Sequence, residues 1–129
     1  MEEDPLEELY TSEDEFDREA LAEALNGVIK IDEDDGSPIR REAFHDLDGK
    51  QRFAAYLLYR RATAALGEIS DDEIGISSSN AAQEIDVNNS TLRNYTDESW
   101  VKNDESRGGY FISGYDVRAA VDCIEDSEE

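Results

Sequence analysis

The chain is short of nearly everything that supplies covalent, metal or membrane chemistry. A single cysteine, Cys123, among 129 residues excludes an intramolecular disulfide and reads as a small buried apolar group. The single histidine, His45, has no cysteine or second histidine near it and cannot assemble a zinc site, so it reads as structural. No metal and no other cofactor is expected. No stretch approaches the ~20 apolar residues of a membrane-spanning helix, and the opening MEEDPLEELY is acidic where a secretory signal would be basic and then apolar. These absences predict a cytoplasmic protein with no membrane partner. No Ser/His/Asp arrangement or Gly-rich phosphate loop stands out, and carboxylates this abundant carry no positional information. No catalytic residue is assigned, and an enzyme is not expected.

Basic residues are the next scarcity. Lys and Arg number 12 against 34 Asp and Glu, a formal charge of −22. High net charge with few apolar residues is the composition of a disordered chain, and it is also the composition of adaptation to molar salt. The apolar residues separate the two, because from Leu21 onward they recur with helical and strand periods. A folded protein at molar salt is therefore expected, where screening over about 3 Å weakens self-repulsion. The length suits one domain with a modest core. Residues 1–17, with nine acids and no base, read as a disordered acidic tail, and 18–126 as the domain.

Along that domain, Leu21, Ala24 and Leu25 make a short amphipathic helix closed by Gly27, and residues 28–31 read as a strand. The acidic turn 32–38 lacks the EF-hand pattern, since the first ligand position, five before Gly36, is Ile31. Residues 36–66 reverse the charge balance: Arg40, Arg41, Lys50, Arg52, Arg60 and Arg61 face only Glu42, Asp46 and Asp48. Within them, Asp48 and Gln51 form a capping box opening a long helix over 49–66, stopped by Gly67. Phe53, Ala54, Tyr56, Leu57, Leu58, Ala62, Ala65 and Leu66 cover more than one stripe of it. Such a helix is buried on two sides, as a central core helix, a subunit interface or both.

Residues 77–100, SSSNAAQEIDVNNSTLRNYTDESW, read as two short helices and a tight turn. Ala81, Ala82 and Ile85 share one face of the first helix, Leu92 and Tyr95 share one face of the second, and Val87 plugs the space between. The turn falls at Asp86, one of the few residue types besides Gly that visits the left-handed region. Ser77 and Asn88 are positioned as N-caps. Here the sequence resembles the helix-turn-helix of prokaryotic and archaeal transcriptional regulators: Ala82, Ile85, Asp86, Val87, Leu92 and Tyr95 stand where that motif wants small, apolar, turn and apolar residues. Residues 100–112, with Gly108 and Gly109 between strand-forming runs, read as a β-hairpin that looks like the wing of a winged helix-turn-helix. A last helix over 114–125 opens with Ser113 and Asp116 as a capping box and carries Val117, Ala120, Val121 and Ile124 on one face.

The fold expected is mainly α with a small β-hairpin (α+β), a winged helix-turn-helix. The resemblance implies a sequence-specific DNA-binding protein of an extreme halophile, a transcriptional regulator whose recognition helix, about 88–96, enters the major groove of double-stranded DNA. The DNA-binding candidates are Asn88, Asn89, Ser90, Thr91, Arg93 and Asn94, with Lys102 and Arg107 in the wing. Asn pairs bidentately with adenine and Arg with guanine, while Ser and Thr more often meet phosphate. Residues 87–96 contain no acid, an uncommon window in this chain. The same NNST run is also a good cap and turn, and the alternative function is a winged-helix protein-interaction module that binds an acidic partner through the 36–66 segment. A homodimer would form through helix 49–66 or 114–125. The salt reading has a direct test: helical circular dichroism is expected to grow as KCl is raised into the molar range. Full structure in salt-free buffer would refute it.

Overall fold

Helix α1, Arg18–Leu25, forms where the spacing of Leu21, Ala24 and Leu25 predicts it, and Gly27 turns the chain away at φ 83°. The computed structural model describes residues 18–67, 69 and 73–125; the acidic tail 1–17 and residues 126–129 lie outside the described residues. Strand β1, Ile29–Ile31, then pairs antiparallel with β2, Pro38–Arg40, in the register Ile29 opposite Arg40 and Ile31 opposite Pro38. The acidic turn between them is held by its own carboxylates. Asp32 accepts from the Asp34 N–H at 2.8 Å and Asp35 from the Ser37 N–H at 2.9 Å, and the Tyr59 hydroxyl donates to the Gly36 carbonyl. Burial pushes the Tyr59 phenol up to about 12. Neither β2 nor the five-residue helix α2, Glu42–Asp46, was expected from the sequence; both are too short to show a period.

Helix α3, Gly49–Ala65, opens with the expected capping box. The Gln51 N–H donates to Asp48 Oδ1 at 2.8 Å, and the Asp48 N–H donates to Gln51 Oε1 at 3.1 Å. From Phe53 to Tyr59 every side chain is buried. Helix α1, β1 and the later elements α4 (Ser78–Ile85), α5 (Asn89–Tyr95), β4 (Gly109–Phe111) and α6 (Val117–Glu125) pack around it. In the fold α3 is the central core helix. No helix among the described residues is long and apolar enough to cross a membrane.

After α3 the chain returns through Ile74 and Ile76, both buried, and Ile76 bridges antiparallel to Tyr110. Strand β3, Lys102–Asp104, and β4 form the expected hairpin around a 3-10 turn at Glu105–Arg107, with Gly108 at φ 100° and Gly109 at φ 126°. Gly75 is what lets 74–76 lie against it: its N–H donates to the Arg107 carbonyl at 2.7 Å. A Cβ there would stand 2.5 Å from the Gly109 nitrogen. The last helix departs from expectation at its start. Residues 114–116 form a 3-10 turn and α6 begins at Val117. Ser113 Oγ accepts from the Tyr115 N–H at 3.2 Å, but the Asp116 carboxylate faces the Lys102 ammonium at 3.5 Å, so the capping box of Ser113 with Asp116 is not made.

Two substitutions test this arrangement in thermal melts at molar salt. Gly75→Ala is expected to cost about 1–3 kcal/mol, because backbone on both sides must move. Asp86→Gly, which relieves a side chain held in the left-handed region, is expected to gain about 0.5–1 kcal/mol, a rise of about 2–5 °C. A neutral Gly75→Ala would show that the close backbone contact is absent.

Candidate nucleic-acid interface

The residues between α4 and α5 are built by local chemistry. Ser77 caps α4, accepting from the Asn80 N–H at 3.3 Å. Asp86 adopts φ 60° and ψ 52°, the left-handed conformation expected of it, and the Val87 N–H closes back on the Ala82 carbonyl at 3.0 Å. Asn88 then starts α5: its Oδ1 accepts from the Thr91 N–H at 2.8 Å and from Ser90 Oγ at 2.9 Å. Ala81, Ala82, Ile85 and Leu92 are buried, Val87 packs against the core beside them, and Tyr95 stacks near Phe53 with centroids 6.2 Å apart. Two helices are thereby fixed across one small apolar seam.

With Leu92 turned inward, α5 presents Asn89, Ser90, Arg93 and Asn94 to solvent. The steps Asn89 to Arg93 and Ser90 to Asn94 are one helical turn each, so the four share an exposed stripe. Arg93 makes no ion pair among the described residues; its carbonyl accepts from Thr96, by N–H at 3.3 Å and by Oγ1 at 2.8 Å. The first acid that follows, Asp97, is exposed, and Glu98 is occupied by Lys50 at 2.9 Å, a contact that holds the Lys50 ammonium above its ordinary pKa. The stripe is therefore polar and locally cationic on a strongly anionic molecule.

Not every residue singled out in the sequence has the same freedom. Both lone pairs of Asn88 Oδ1 are engaged in the cap, which removes this residue as a bidentate reader of a base edge while leaving its amide N–H groups available. Thr91 is half-buried. Lys102 and Arg107 stand on the hairpin, a separate element. Lys102 is exposed toward Asp116, and the Arg107 guanidinium lies 4.3 Å from the Phe111 ring centroid. The hairpin turn is stiffened by Asp104, which accepts from Ser106 Oγ at 2.7 Å and from the Ser106 N–H at 3.0 Å; these bonds hold its carboxyl below the usual carboxylate range.

The cationic segment 36–66 needs the larger correction. Four of its six bases are used inside the chain. Arg60 donates to the carbonyls of Glu73, Ile74 and Gly75 at 2.7, 2.8 and 3.1 Å, and Arg61, only 2% exposed, donates from Nε to the Ile112 carbonyl at 3.0 Å. Arg40 pairs with Glu84 and lies over the rings of Phe44 and Tyr56, while Lys50 pairs with Glu98. The segment is a set of internal braces more than a basic surface. Each partner comes from a distant part of the chain, so no local pattern could have announced it. One feature that sequence reading passed over is the exposed, uncharged start of α4, Ser77, Ser79 and Asn80, in the same motif as the α5 stripe; the SSSN run was the available signal. No family model, curated protein or solved structure matches this chain.

Proposed function

We propose that the protein is a winged helix-turn-helix and a sequence-specific DNA-binding protein, a transcriptional regulator acting at high salt. The observation that carries this reading is the acid-free stripe of Asn89, Ser90, Arg93 and Asn94, with Arg93 unpaired among the described residues of a chain of charge −22. The order helix, bridging segment, helix, left-handed turn, helix and hairpin supports the fold side of it, with residue 76 bridging the hairpin's second strand. In this arrangement the N-terminal part of α5 enters the major groove. Arg93 addresses guanine O6 and N7, and Asn89 and Asn94 address adenine N6 and N7. Ser90, Thr91 and the Asn88 amide meet phosphate, and Lys102 and Arg107 approach the neighbouring backbone.

The charge of the molecule dictates the conditions. At low salt −22 repels DNA, and at molar salt the counterion-release contribution that drives ordinary nonspecific binding has nearly vanished. Affinity then rests on hydrogen bonds, apolar contact and bridging cations, which suits a reading surface of amides and hydroxyls with a single Arg. A protein-interaction module that holds an acidic partner through residues 36–66 has less support, because four of the six bases there are internally engaged. A homodimer, the arrangement that reads a palindrome, has the outer face of α6 to use. There Arg118, Ala119 and Asp122 are exposed, whereas the apolar faces of α3 and α6 already form the core.

Selection of bound DNA from random sequence at roughly 1–3 M KCl, where screening acts over about 3 Å or less, is expected to recover a defined site. A palindrome would report the dimer. On that site Arg93→Ala is expected to weaken binding by about 5- to 150-fold, the equivalent of one guanine contact worth about 1–3 kcal/mol, while Arg41→Ala, which removes the same charge from an exposed position before α2, leaves site preference unchanged. Absence of any sequence-selective complex would overturn the proposal.

A further inference from the structure

On the side of the fold formed by α1, β1 and the C-terminal end of α3 there is a groove of about 510 Å³. Its apolar lining comes from three elements: Leu21 and Leu25 of α1, Ile29 and Ile31 of β1, and Ala65 of α3, continued by Leu66. Leu66 is 62% exposed, the most exposed large apolar side chain among the described residues. A concave apolar lining that ends on such a leucine is more stable covered than wet.

A candidate to cover it is tethered at its rim. Residues 1–17 lie outside the described residues and join the fold at Arg18, which is itself one of the groove's lining residues. They carry one apolar cluster with a helical period, Leu6, Leu9 and Tyr10 at i, i+3 and i+4, which in a helix share one face. Asp4, Pro5 and Glu7 are the residue types of an N-cap, a first helical position and a capping-box partner at those spacings. Only residues 11–17 separate Tyr10 from Arg18. A tether of that length reaches at most about 25 Å, which holds the cluster near the groove at an effective concentration on the order of millimolar. Nine acids and no base make residues 1–17 opposite in sign to Lys30, the exposed lysine of the groove, whose ammonium donates to Asn26 Oδ1 at 2.9 Å. In molar salt that attraction, and the repulsion from Glu23 of the same lining, are screened over about 3 Å, so apolar contact decides the docking. We propose that residues 4–10 fold back as a short amphipathic helix and seat Leu6, Leu9 and Tyr10 in the groove of their own chain, against Ile29 and Leu66. The proposal goes beyond DNA binding and does not depend on it, since the groove shares no residue with the α5 stripe.

The test uses the full chain with methyl-labelled Leu and Ile in KCl sufficient for folding. Nuclear Overhauser contacts are expected from the Leu9 methyls and the Tyr10 ring to the methyls of Ile29 and Leu66. The double variant Leu6→Ser, Leu9→Ser should remove the Tyr10 contacts and shift the Ile29 and Leu66 methyl signals, while the Leu92 methyls of α5 stay in place. Leu66→Ser, at a position exposed enough to leave the core intact, should remove the contacts to Ile29 from the groove side. Glu8→Gln, which falls on the opposite face of the proposed helix, should keep them all. In a mixture of isotope-labelled and unlabelled chains the contacts should stay within one chain. Three results would overturn the proposal: no contact between residues 6–10 and the groove methyls, groove methyl signals unchanged in the double variant, or contacts found only between chains. The last would give the groove to a second copy of the chain.

Discussion

The structure depends on the burial of one helix on every side. Seven consecutive side chains of α3, Phe53 to Tyr59, are out of water, and α1, α4, α5, α6 and both hairpins lie against that helix or its ends. This is a hydrophobic arrangement whose main contribution does not weaken with salt, and it stands opposite a self-repulsion that salt removes. The two together explain how a chain of −22 can hold a defined core. The same helix carries the polar ties that place the remaining elements, since Arg60 and Arg61 point from it to carbonyls of residues 73–75 and 112.

Those arginines show how scarce positive charge is allotted. A guanidinium bonding backbone carbonyls makes charge-assisted hydrogen bonds in a partly or fully buried setting, where added salt screens little. Arg60 joins α3 to the segment that leads into α4, and Arg61 joins it to the segment that leaves the hairpin. Arg40 does the same from β2, reaching Glu84 on α4. The helix pair α4 and α5 is thus gripped from outside itself while its own turn is held by Asp86 and Asn88. Against this pattern of engaged bases, the exposed Arg93, which makes no ion pair among the described residues, is the one cation that α5 carries.

Polar recognition and an acidic surface are compatible on physical grounds. Carboxylates favour hydration, and under the proposed function the acid-free window from residue 87 to 96 would keep them off the stripe that a phosphate backbone approaches. Amide and hydroxyl groups lose less to screening than ammonium groups do, because a hydrogen bond acts at contact distance. Under the proposed function, a surface of this kind would trade strength of nonspecific attraction for dependence on base identity.

What the sequence by itself determined is what local chemistry determines. The Asp48 and Gln51 capping box, the Asn88 cap, the left-handed Asp86 and the positive φ of Gly108 and Gly109 are interactions within about four residues, or properties of single residues, and they were legible before any fold was known. So was the apolar excess of α3 and the inward set of Ala81, Ala82, Ile85 and Leu92. The tertiary structure decided which side chains remain free to act. Arg61 was drawn to a carbonyl 51 positions away and Arg40 to a carboxylate 44 positions away. The bridge from Ile76 to Tyr110 likewise joins segments far apart in the chain. A side chain's residue type limits what it can bind, but whether it is spent or available depends on which distant segment packing brings within about 3 Å of it.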